Sequence, residues 1–299
     1  MAEPTRAPSS SRTGDIWRQF RYHRGALAGA VILMLVILAV FLGPLLWGLD
    51  PNRLDPLNRD LGPSWAHPLG TDQLGRDTLA RVMAGGRISL AVGFVAMALA
   101  LTLGTLVGVL AGFVRWLDGP LMRLTDLFLS LPLLPLLLVM VMLFRDALSA
   151  RFGPEAGIFL LIVVAIGVTS WMPTARILRG EVLALKERDF ILAARAGGTR
   201  GWPMIRRHVL PNVLSPILVS ATLGIATAII TESALSFLSL GFPPDFATWG
   251  RLLRDGTVYL ETFPERALAP GIAISLTLLA VNYIGDGLRD ALDPRQNPQ

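Results

Sequence analysis

Along this chain, apolar runs without a single Asp, Glu, Lys or Arg alternate with shorter, charge-bearing segments. The apolar runs cover 26–49, 88–114, 127–144, 156–175, 212–231 and 267–285. A helix needs roughly 20 apolar residues to cross a hydrocarbon core about 30 Å thick, and each run comes close to that length. The pattern predicts an all-α fold, a polytopic membrane helix bundle with six transmembrane helices. It divides the chain into a basic tail over 1–24, a first membrane anchor over 25–49 and an extracytoplasmic loop over 50–87. A core over 88–285 follows, with five further spans and a polar loop at 176–211, and then a tail over 286–299. The first tail is rich in Pro and Ser and has nothing to bury, so it is expected to be disordered. The first apolar run is longer than the roughly 7 to 15 residues of a signal-peptide core, which makes it an uncleaved anchor.

Six spans put both ends of the chain on one side, and basic residues select the side. Arg6, Arg12, Arg18, Arg21 and Arg24 precede the first span, and the 176–211 loop carries eight Lys or Arg against three acids. Both are expected in the cytoplasm, so the N- and C-termini are expected inside. The segment 232–266, with five acids against three bases, belongs outside. The five Arg of 50–87 run against the pattern, but long loops cross largely regardless of charge.

Composition agrees with a bilayer as solvent: 53% of residues are hydrophobic and 16% charged. The net charge of +5 does not point to nucleic acid, because the bases sit in short blocks between apolar runs and form no stripe with interleaved aromatics. Membrane lipid is the expected partner instead. The chain has no cysteine, which removes disulfides, thiolate metal sites and a Cys nucleophile.

Within the spans, Gly104, Gly108 and Gly112 share one helical face and allow another backbone to approach closely. That backbone can belong to this chain or to a partner subunit. Pro132 and Pro135 interrupt the third run and predict a kink that frees backbone carbonyls, a feature of translocation paths and also of ordinary membrane helices. Asp126 and Glu232 are expected only at the ends of spans, so no ionisable group is available at depth to carry a coupling ion. No phosphate-binding glycine loop surrounds Lys186, the one lysine, and His23, His67 and His208 are scattered with no H-E-x-x-H. No catalytic residue, cofactor site or metal site is expected, and energy must enter from elsewhere.

The 176–211 loop is the candidate entry point. In "ERDFILAARAGG", Phe190, Ile191, Leu192, Ala193, Ala194 and Ala196 form a short apolar helix with small side chains, and Gly197, Gly198 and Thr199 turn the chain at its end. Such a helix fits a groove on another protein; lying on lipid headgroups is the alternative. "GWPMIRRHVLPN" then returns to the membrane, with Pro211 where a missing N–H is tolerated.

Ala193-Ala194, then Gly198, then nine residues to His208-Val209-Leu210-Pro211, resembles the EAA loop of permease subunits of ATP-binding-cassette (ABC) importers. The family's leading glutamate is replaced here by Leu192. "HPLGTDQLGRDTLARVMAGGRISLAVG" over 67–93, "ESALSFLSLGFPPDFATWGRLL" over 232–253 and "GDGLRDALDPR" over 285–295 are similar to the "C" permeases of dipeptide, oligopeptide and nickel importers. The resemblance implies a type I importer permease in the bacterial plasma membrane and a second homologous permease. It also implies two ABC ATPases docked on the 190–200 coupling helix, ATP and Mg bound by those partners, and an extracytoplasmic substrate-binding protein. Short peptides are the cargo it favours, with nickel, glutathione or opines as alternatives.

Read physically, "LGTDQLGRD" has the turn and cap residues of a helix start. Phe246 and Trp249, beside Pro243-Pro244, are expected as exposed aromatics on the outer side, for docking a delivery protein or for a packed cap. Asp286, Arg289 and Asp290 are expected as solvated charges at a helix end. The rival from another class is a stand-alone secondary carrier or channel. An intramembrane enzyme is disfavoured for want of clustered His, Asp or Glu.

Overall fold

The computed structural model describes residues 20–243 and 245–292. Apart from 20–24, the tail predicted over 1–24 lies outside those residues, as do Pro244 and 293–299 of the second tail. Among the described residues eleven α-helices of five residues or more form the scaffold: α1 (Arg24–Phe41), α2 (Gly43–Trp47), α3 (Thr78–Phe113), α4 (Arg115–Ser130), α5 (Leu133–Phe152), α6 (Pro154–Thr169), α7 (Met172–Lys186), α8 (Asp189–Ala196), α9 (Leu214–Phe237), α10 (Trp249–Thr257) and α11 (Glu265–Leu292). Among the described residues no strand forms; one isolated bridge joins Thr71 to Asp77.

Five of these helices, α1, α3, α5, α9 and α11, are each long and apolar enough to cross a membrane. Taken together as one crossing, the pair α6 and α7, bent by 40° between them, brings the number to six. The six apolar runs are therefore present, but three of them are not single helices. The first breaks at Leu42, where Pro44 enters α2. The third does not kink at its prolines; it stops. A residue before proline is driven out of the helical region, and Leu131 is extended at φ −78°, ψ 135°. Pro132 then caps α5, and Pro135 falls in its first turn, where no N–H is needed. The fourth run breaks at Ser170 and Trp171, with Pro173 in the first turn of α7.

Helix α3 is the spine. Its 36 residues rise about 1.5 Å each, so it outruns the hydrocarbon core. Asp77 starts it by accepting the Ala80 N–H at 2.7 Å. Arg87 in its early turns answers the last carbonyls of α1, at 3.0 Å from Val40 O and 3.1 Å from Phe41 O. Gly104, Gly108 and Gly112 face α7 of the same chain. A Cβ at Gly108 would lie 2.6 Å from the Ala175 carbonyl oxygen, and one at Gly104 would lie 2.7 Å from that of Trp171. In a bilayer such close packing, not water exclusion, holds helices together.

Helix α9 continues to Phe237, so Glu232 is not at a span end but inside the helix and fully buried. Ser89 and Ser236 donate to its carboxylate at 2.8 and 2.7 Å. Trp249 is likewise buried, at 1% exposure, contrary to the exposed aromatic expected. Its indole donates to Val82 O at 2.9 Å, and Gly85 and Gly86 make room for α10 against α3. Phe246 is partly buried against the cluster that includes Phe242. The segment is a packed cap on α3 and α9. The predicted tail from 286 is helical to Leu292, and His23 sits 3.4 Å from Asp290, tying α1 to the end of α11.

The loop before α3 is held by charge. Asp72 accepts from the Leu74 and Arg76 amides, both at 2.9 Å, and from the guanidinium groups of Arg76 and Arg81 at 2.7 and 2.8 Å. Burial alone would raise the Asp72 carboxyl, but these amides and the Arg76 charge outweigh it and hold it below its ordinary range. Asp77 also accepts from the Trp47 indole at 3.1 Å and lies 2.8 Å from His67 Nδ1.

Candidate functional site

Two features stand apart from this packed scaffold: the α7–α9 connection and an intramembrane cavity at the two helix breaks. In the connection, α8 is anchored by one side chain, Ile191, which is fully buried. Its neighbours Phe190 and Leu192 are 44% and 46% exposed, and Ala193 and Gly197 are exposed beside them, while Ala194 is half-buried. An apolar, small-residue face is thus left open, and the exposed Leu192 makes no polar contact where a glutamate was expected from the loop pattern.

The helix ends in a Schellman motif. Gly198 N–H donates to Arg195 O and Thr199 N–H to Ala194 O, both at 3.0 Å, and Gly198 has φ +87°. Only glycine takes that conformation without strain, which gives the Gly-Gly break its local reason. Past Gly201, the chain enters a π-helical turn over Ile205–Val209 that carries His208, half-buried, and then a 3₁₀ turn over Leu210–Asn212 that carries Pro211. Ile205, Val209 and Val213 pack on Val109, Leu178 and Val182, so the return path is seated on the C-terminal parts of α3 and α7.

Two charge contacts stiffen this end. Lys186 Nζ donates to Gly112 O at 3.0 Å and Phe113 O at 3.3 Å, answering the open carbonyls at the end of α3. Arg179 of α7 binds Asp118 of α4 at two points, and that hydrogen-bonded pair holds the Asp118 carboxyl below its usual range.

The cavity, of about 370 Å³, lies where the two breaks meet α3 and α9. Leu131 and Leu133 line it from the first break, Thr169, Ser170 and Thr174 from the second, and Met97, Ser220 and Thr227 from α3 and α9. Pro132 and Pro135 do not line it; they create the break whose flanking leucines do. Among the described residues no charged side chain lines it. Glu232 does not either. The cavity residues escaped sequence reading because isolated Ser and Thr within apolar runs are unremarkable until a helix break opens beside them.

Comparison with known proteins agrees with this architecture. Residues 100–298 match the family described as binding-protein-dependent transport system inner membrane component, and residues 11–63 match the N-terminal transmembrane domain of oligopeptide transport permease C. The oligopeptide transport system permease protein OppC of Bacillus subtilis is 38% identical over 296 residues, covering 98% of this chain and 93% of that one. The dipeptide transport system permease protein DppC of Alkalihalophilus pseudofirmus is 38% identical over 282 residues, covering 94% and 89%. Among solved structures, an inward-facing form of the MetNI methionine ABC transporter is similar in fold, with a TM-score of 0.56 and 20% identity over 71% of this chain and 97% of that one. With its bent α6–α7 pair, exposed α8 and membrane cavity, this multi-pass chain belongs to the family of inner membrane components of binding-protein-dependent transport systems.

Proposed function

We propose that this chain is the non-catalytic permease subunit of an ATP-driven importer that carries short peptides into the cytoplasm by alternating access. Peptide cargo follows from the relatives, whose names specify dipeptide and oligopeptide transport. The observation that carries the mechanism is α8: an apolar helix whose one fully buried side chain is Ile191, open at Phe190, Leu192 and Ala193, and followed by a return path that packs on α3 and α7. Two ATPase subunits, one on this loop and one on a second permease, bind ATP and Mg and move the loops on closure. Phe190, Leu192, Ala193, Ala194, Gly197, Gly198 and Thr199 form the docking face, with His208, Leu210 and Pro211 in the return path. The pivot is the pair of breaks at Pro132 and Ser170, and the cavity between them is this subunit's share of the path. An extracytoplasmic binding protein delivers cargo on the side of α10. Both termini and the 176–211 loop lie in the cytoplasm.

One observation favours a stand-alone carrier: Glu232 is an ionisable group inside a span, where coupling sites occur. It is enclosed by Ser89, Ser236 and the packed cap and has no access to the cavity, so its role is structural.

Affinity purification from native membranes in mild detergent tests the assignment. Two ATPase chains and a second permease are expected with the unmodified chain, and the ATPases are expected to leave the Gly198→Trp variant. A chain that purifies alone and drives uptake in liposomes from an ion gradient would overturn it.

A further inference from the structure

The geometry points to Met97, seated in a notch at Gly224, as the residue that sets the largest cargo side chain the membrane cavity admits. This rests on the reading of that cavity as part of the transport path. Helices α3 and α9 cross through two reciprocal glycine notches. Gly93 of α3 faces Ile229 of α9, where an added Cβ would lie 2.5 Å from Ile229 Cγ1. Gly224 of α9 faces Met97 of α3, and an added Cβ there would overlap the Met97 Sδ and Cε. The two notches differ in what lies beside them. Ile229 is fully buried and packs with Val40, Leu90 and Trp249. Met97 and Gly224 both line the cavity, whereas neither Gly93 nor Ile229 does. The first notch joins two helices; the second also shapes a wall.

Met97 is buried and clusters with Ala100, Trp171, Met172 and Ala175. In a close-packed interior a displaced side chain moves into adjoining free volume, and the free volume that Met97 borders is the cavity. A methionine can make that move, being unbranched with three rotatable bonds. The width of the cavity at this point therefore follows the room that residue 224 leaves for the thioether. Apart from hydroxyl groups such as those of Ser170, Thr174 and Ser220, the lining is apolar, and among the described residues it carries no charge. A charged side chain entering it would lose its hydration without a countercharge. The cavity thus suits neutral side chains, and size is the property its wall can discriminate.

Uptake of the dipeptides Phe-Phe and Ala-Ala by the complete transporter in proteoliposomes, with its ATPases and binding protein, reads the selection as the ratio of their kcat/KM values. The binding protein's own preference is the same in every sample and cancels between variants. Gly224→Ala, which pushes Met97 outward, is expected to lower the Phe-Phe to Ala-Ala ratio on the order of tenfold. Met97→Ala is expected to raise it several-fold, and Gly224→Ala/Met97→Ala to return it toward the unmodified value. Gly93→Ala presses on Ile229 at the same crossing, so it should lower the melting temperature and leave the ratio unchanged. Should Gly224→Ala fail to fold, Met97→Ala carries the test through its opposite sign. An unchanged ratio in Met97→Ala, or the same shift in Gly93→Ala as in Gly224→Ala, would overturn the assignment. The width is also read without transport. In the cysteine-free chain, Ser220→Cys places a thiol in the cavity lining, one turn before Gly224 on α9. Relative to a small maleimide, a bulky one should label it more slowly once Gly224→Ala is added and faster once Met97→Ala is added. Identical relative rates would refute the movable wall whatever the chain transports. With labelling as expected, absence of ATP-driven peptide uptake by the unmodified complex would overturn the transport reading, and with it the cargo, while the wall stands.

Discussion

Ser89 Oγ donates to the Glu232 carboxylate at 2.8 Å and accepts from the Trp249 backbone N–H at 3.2 Å, so one hydroxyl joins α3, α9 and α10. Ser236, one turn along α9, satisfies the other carboxylate oxygen at 2.7 Å. Removing the acceptor leaves two buried hydroxyls without it, at roughly 1–3 kcal/mol for each unsatisfied group. Glu232→Leu is therefore expected to lower the melting temperature in detergent strongly. Glu232→Gln, which keeps an acceptor oxygen, should lower it less. Equal melting of Glu232→Leu and the unmodified chain would show that this junction contributes nothing to stability.

The glycine stripe predicts opposite effects for two glycines on facing helices. Gly108→Leu drives a side chain into the Ala175 carbonyl and should separate α3 from α7, costing about 1–3 kcal/mol or more. Gly180, in α7, has nothing within 4 Å of its Cβ position. Gly180→Ala should be neutral or stabilising by up to about 1 kcal/mol. Thermal unfolding of the two variants, followed by size-exclusion chromatography in detergent, checks both signs.

At the loop, Gly198 has open space around its Cβ position but a left-handed backbone. Gly198→Ala should destabilise the end of α8 by roughly 1–2 kcal/mol while leaving the membrane core intact. Gly198→Trp should insert normally and abolish ATP-driven uptake in proteoliposomes. Near-normal uptake by the Trp variant would remove this loop from the coupling role. Leu192→Glu changes an exposed residue and should be tolerated in both expression and uptake.

The order of the loop over 50–77 should depend on pH through Asp72. Its folded carboxyl is held below the ordinary range, so its contribution is fully present above the unfolded value and is lost as pH falls through the lower, folded one. Hydrogen exchange over 50–77 should be flat from pH 7 to the ordinary carboxylate range, after correction for intrinsic rates. Below that range it should rise. Asp72→Asn should exchange faster at neutral pH and lose most of the acid dependence.

The number and order of spans were legible in the chain because a bilayer demands a long apolar run for every crossing, and polar breaks between runs are hard to mistake. The Gly197-Gly198 turn was legible for a similar local reason: a helix end that needs a left-handed residue uses glycine. The prolines at 132 and 135 announced a disturbance, but a kink and a full break differ only in whether Leu131 stays helical, and neighbouring helices affect that choice.

The burial of Glu232 and Trp249 was not legible. Both lie in a stretch rich in turn residues and charge, which reads as an exposed outer segment. Their burial follows from α10 folding back on α3 at Gly85 and Gly86 and, through its own Gly250, on Ser233 of α9; Ser89 and Trp249, which meet there, are some 160 positions apart. The partner of the glycine stripe was equally open, since a small face invites any close backbone and carries no address. Local chemistry such as apolar length, caps, glycine turns and charge blocks is written in consecutive residues and can be read from them. Which face meets which helix, and where two breaks align to open a cavity, depends on contacts between residues far apart in the chain, and these exist only once the helices are packed.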